Sequence, residues 1–110
     1  TESFYMLGRP KTAEQYVDLI DQALFEIEDL RAAAENDMDS MGAATDFLEE
    51  LERDVRRLRE SMADGSYRFG TEDLPFVRVV EHQDERILPF RVLLLKINET
   101  HIKGLQVEDE

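Results

Sequence analysis

Glu81, His82, Asp84 and Glu85 fall within five consecutive residues, and three carboxylates beside an imidazole are donors able to hold a divalent ion. His101 could add a remote ligand. The same four residues also compose an ordinary polar turn, so the spacing fits a solvated loop as well as a metal site. Other chemistries find no motif. The chain has no cysteine, which excludes disulfides, thiolate metal sites and a cysteine nucleophile together. No glycine-rich loop has phosphate-binding spacing, and Ser66, Thr71, Thr100 and His101 stand in no catalytic pattern. Nothing calls for a cofactor.

Paired carboxylates on helices are the other route to chemistry. Glu26 and Asp29 have an ExxD spacing similar to that of the helical pyrophosphohydrolases, but both flank the apolar seam of Ala23, Ile27 and Leu30. They do not project inward with it. Glu49 and Glu50 are followed by Arg53 where a third acid would be needed. A di-iron bundle takes Glu-x-x-His from its helices, and neither His82 nor His101 is so placed.

Charge is more informative than motif. The 110 residues hold 26 acids against 13 bases, a formal charge of −13, which repels a phosphate backbone and sets nucleic acid aside as a partner. The acidity is concentrated: residues 12–40 carry nine acids against Arg31 alone. On a helix, Asp18, Asp21, Glu28 and Asp29 would form a face able to attract a basic protein or to imitate nucleic acid, and a solvated face has the same composition. No apolar run exceeds four residues, as in Val92 to Leu95, far short of the ~20 that cross a bilayer. Thr1 to Leu7 lacks the basic region and long apolar segment of a secretory signal, which makes the cytoplasm the default compartment and sets membranes aside.

Two long helices must position these residues. Thr12 and Gln15 have capping-box spacing, and Tyr16, Ile20, Ala23, Ile27, Leu30 and Ala34 then recur every three or four residues. A second seam runs Met41, Ala44, Leu48, Leu51, Val55, Leu58 and Met62, and Gly65 is placed to stop it. Asn36, Asp37, Asp39, Ser40 and Gly42 favour a turn between the two, giving an antiparallel hairpin of helices 13–35 and 41–64. The rival is one continuous helix in a dimeric coiled coil, because the two seams share a phase. Helix 1 has the wider apolar surface. Val17, Leu24 and Phe25 lie beyond what one neighbour along the seam can cover, which implies a second contact there, with a sheet or another subunit.

After Gly65 the pattern changes. Phe76 to Val80 is rich in β-branched residues, residues 82–86 are polar, and Ile87 to Ile97 is apolar again, so the expectation is a β-hairpin of strands 75–82 and 87–97. In that register Val77 faces Val92 and Val79 faces Phe90. A helix entered at Pro89 and ending at Gly104 also fits Phe90, Leu94, Ile97 and His101. The expected architecture is a single α+β domain over residues 1–110, with no internal repeat, linker or low-complexity segment to divide it. The expected function is a non-catalytic acidic interaction module, an adaptor, regulator or small chaperone acting as a homodimer. Its gross features resemble those of small acidic secretion chaperones, without a shared motif. The alternatives are a divalent-metal protein or enzyme using the 81–85 turn and a nucleic-acid mimic that captures a basic protein.

Overall fold

The computed structural model describes residues 9–36, 42–83 and 86–106, with backbone alone at residues 35, 36 and 42–46. Four helices are present among them: α1 (Ala13–Asn36), α2 (Gly42–Ala63), α3 (Val77–Glu81) and α4 (Arg91–Lys103).

The start of α1 follows from two side chains. The Thr12 hydroxyl accepts the Gln15 amide proton at 3.1 Å, while Gln15 Oε1 reaches back to the amide of Lys11 at 2.9 Å, one residue earlier than an ideal capping box requires. Along the helix Tyr16, Ile20, Ala23, Ile27 and Ala34 are buried, as the seam predicts, and Leu19 joins them from its flank. Leu48, Leu51, Val55 and Leu58 form the answering face of α2. At the end of α2, Gly65 takes a positive φ of 82°, a conformation that costs other residues about 1–2 kcal/mol.

The two helices are antiparallel neighbours. Following α1 forward, Asp21, Glu28 and Arg31 meet Arg59, Arg56 and Glu52 of α2, taken in reverse order. Each exposed pair of this kind contributes about 0.2–1 kcal/mol, whereas burying one Ile or Leu of the seam contributes about 1.5–3 kcal/mol. The seam therefore holds the hairpin, and the ion pairs set its alignment.

The β-hairpin expected at 75–82 and 87–97 does not form: those stretches carry α3 and α4, and no strand exists among the described residues. The domain is all-helical, with α4 packed on both α1 and α3. The β-branched Val77, Val79 and Val80 lower helix propensity only by tenths of a kcal/mol each, a weak preference that burial overrides. All three are buried with Phe76, a pattern that leaves one face inside a helix and breaks the alternation of a strand. An isolated two-stranded hairpin would also be marginal by itself. A four-turn amphipathic segment burying Phe90, Leu93, Leu94 and Ile97 instead covers the wide face of α1 within the same chain.

Both helix entries use the same three residues. Leu74-Pro75-Phe76 leads into α3 and Leu88-Pro89-Phe90 into α4, with each leucine and phenylalanine buried. In each, the leucine carbonyl accepts the amide three residues on, from Val77 or Arg91, at 3.1 Å. Proline suits this turn because its φ is already near the helical value and it has no N–H to leave unpaired. Arg91 then caps α3, donating to the Val80 carbonyl at 3.4 Å.

Candidate functional site

The outward face of α1 holds most of the residues singled out for partner binding. Phe25 is 63% exposed, and its neighbours one turn away on either side are Asp21, Gln22, Glu28 and Asp29, with Asp18 two turns before it. Two of these acids are engaged: Asp21 Oδ1 accepts from Arg59 Nε at 2.7 Å, and Glu28 accepts from Arg56 at 3.1 Å. Asp18 and Asp29 are exposed and hold no ion pair among the described residues. Leu24 is half-buried against the core, and Val17 is half-buried where it lines a cavity at the α1 entrance. Phe25 alone is left outside.

The 81–85 turn is not gathered into a site. Glu81 is exposed, and His82 commits its Nδ1 to the Arg78 carbonyl at 2.7 Å, closing the end of α3. Asp84 and Glu85 lie outside the described residues. His101 stands on α4 with its Nδ1 2.7 Å from the Tyr67 hydroxyl. Among the described residues no three His, Asp or Glu side chains converge as metal ligands.

Sequence reasoning missed a second feature, at the end of the bundle where α1 begins and α2 ends. Ala13, Tyr16, Val17, Met62, Gly65, Tyr67, Phe69 and Leu105 enclose an open cavity of about 210 Å³. Tyr67 meets Tyr16 and Phe69 edge to face, at ring separations of 5.9 and 5.4 Å, while Phe69 lies parallel to Tyr16 at 6.0 Å. The phenolic oxygens point away into a hydrogen-bonded chain. Tyr16 donates its one proton to the Ile97 carbonyl at 3.0 Å, so at the 3.3 Å contact between the two phenols Tyr67 is the donor. His101 Nδ1–H then completes the chain by donating to Tyr67. Burial raises the pKa of both phenols and lowers that of His101, so all three are neutral near pH 7.

The loop that closes this cavity is tightly held. The Gly70 amide donates to the His101 carbonyl at 3.2 Å, and a Cβ at Gly70 would stand 2.8 Å from His101 Nε2, so any larger residue would push the imidazole away. Arg68 Nη1 donates to the carbonyls of Gly65 and Tyr67 at 3.2 and 2.9 Å. Beyond Leu105, Arg9 Nε donates to the Gly104 carbonyl at 3.0 Å, its amide donates to Gln106 Oε1 at 3.1 Å, and the Gln106 amide donates to the Pro10 carbonyl. The one sequence signal for this site is the aromatic spacing Tyr67-x-Phe69, followed at once by Gly70.

No protein-family model matches the chain, and neither a curated protein nor a solved structure matches it. No helix among the described residues is long and apolar enough to cross a membrane.

Proposed function

We propose that this domain is a non-catalytic interaction module that takes a basic, amphipathic protein segment on the outward face of α1. The observation that carries this reading is Phe25, the most exposed large apolar side chain described, set among Asp18, Asp21, Glu28 and Asp29. An aromatic anchor flanked by carboxylates supplies both parts of a docking site: a ring for apolar burial, and the charges of Asp18 and Asp29, left free by the pairing of Asp21 and Glu28 with Arg59 and Arg56, to select lysine or arginine. A second copy of the chain is the weaker candidate. Its own Asp18 and Asp29 would be brought against those of the first, and like charges at an interface cost stability.

The test is an amide-resolved NMR titration with a helical peptide bearing a leucine stripe flanked by lysines, beside its counterpart with glutamate for lysine. The lysine peptide should shift amides between residues 16 and 32 and bind more weakly as salt rises. Phe25→Ser should weaken it at least tenfold without moving the melting temperature, since that ring supports nothing inside the fold. Equal binding by Phe25→Ser, or shifts confined to other helices, would contradict the reading.

A further inference from the structure

The cavity beside Tyr16, Tyr67 and Phe69 has features that the packing of the bundle does not require. Phe69 leaves 46% of its surface in solvent although two aromatic rings lie beside it, and the half-buried Met62 also lines the cavity. At about 210 Å³ the space is below the ~300–1,000 Å³ of sites for drug-sized molecules, which limits an occupant to about one ring with a short arm. Because both phenolic oxygens are spent on the chain to Ile97, the walls offer ring faces and edges, not hydrogen bonds.

The polar recognition must come from the rim, where Arg68 is anchored to the main chain of two lining residues. In a chain of −13, Arg31, Arg56, Arg59 and Arg78 each meet a carboxylate. Arg68 and Arg9 do not among the described residues; they are fixed by main-chain carbonyls of residues that line the cavity or adjoin its lining. Arg68 uses Nη1 for those bonds, which leaves the Nε and Nη2 donors of its guanidinium for a ligand.

We propose that this cavity binds a small aromatic carboxylate, its ring against Tyr16, Tyr67, Phe69 and Met62 and its carboxylate on the Arg68 guanidinium. A planar fork donating to a carboxylate is the favourable pairing for such a group, and an aromatic ring gains from edge-to-face contact with Tyr67 and Phe69. The site is separate from the Phe25 face and stands or falls independently of it.

Phenylacetate, its neutral amide phenylacetamide, and acetate are the probes, followed by amide shifts of the whole chain. Phenylacetate should saturate at millimolar concentration with shifts at Val17, Gly65, Phe69 and Leu105; phenylacetamide should bind at least tenfold more weakly, and acetate not at all. Arg68→Gln, an exposed substitution, should weaken phenylacetate at least fivefold and leave phenylacetamide unchanged. Phe69→Ala should weaken both. Absence of saturable binding by phenylacetate, equal affinity for the amide, or an Arg68→Gln protein that binds phenylacetate as tightly as the parent would each overturn the proposal.

Discussion

Asn98 ties the loop after α2 to α4 with both ends of its amide. Its Oδ1 accepts the Leu74 amide at 2.7 Å and its Nδ2 donates to Asp73 at 2.9 Å, and the side chain is buried. Asn98→Ala leaves the Leu74 N–H without a partner and should cost about 1–3 kcal/mol, read as a shift of the urea midpoint at unchanged slope. Nothing in the sequence announces this residue, because its partners lie some two dozen positions away. His101 was legible as a possible ligand and as a member of the alternative helix from Pro89; its role as the first donor to Tyr67 depends on that helix bringing it to the loop. Burial holds its pKa below the ordinary 6.5, so the unfolded chain takes up a proton first as pH falls. The stability contributed by neutral His101 is therefore present above pH 6.5 and lost as pH drops below it. Thermal melts between pH 7.5 and 5.5 should show a steeper loss for the parent than for His101→Gln; parallel curves would contradict this.

The helices of the hairpin are the elements that sequence reading located best, within one residue at each described end, because their periodicity runs for more than twenty residues. Their alignment depends on Glu52, whose carboxylate lies between Arg56 and Arg31 with only 14% of its side chain exposed. The hydrogen bond from Arg56 outweighs the upward push of burial and, with the smaller contribution of Arg31, holds its pKa below the usual carboxylate range. Glu52→Gln should cost about 1–2 kcal/mol near neutral pH, a difference that shrinks as acid titrates the parent carboxylate. The preferred β-hairpin failed because β-branched residues and an intervening polar run mimic one, whereas the alternative helix entered at Pro89 and ending at Gly104 matches α4, and the duplicated Leu-Pro-Phe marks both helix entries. One substitution separates the two readings. A strand pairing would bury Val92 against Val77, whereas on α4 Val92 is 46% exposed. Val92→Ser should change stability by no more than about 0.5 kcal/mol, and Phe76→Ala by about 3–5 kcal/mol.

Across the whole molecule, the buried residues of all four helices join one hydrophobic core. This arrangement explains why the apolar breadth of α1, which suggested a neighbouring subunit, is mostly satisfied within the chain: α4 lies on α1 and leaves Phe25 as the unspent remainder. The charge distribution was legible from composition; which acids are free was not, since Asp21 and Glu28 are consumed by arginines of a helix whose register only the fold supplies. Both the outward Phe25 face and the aromatic cavity require α1 and α2 to fold back on each other within one chain. Spin labels at the exposed Asp18 and Glu60, diluted with unlabelled protein, test this directly by their dipolar distance. Antiparallel helices with axes about 8–10 Å apart predict a separation of about 10–20 Å between labels. A distance near 63 Å, the span of about 42 residues at ~1.5 Å each in one continuous helix, would contradict it.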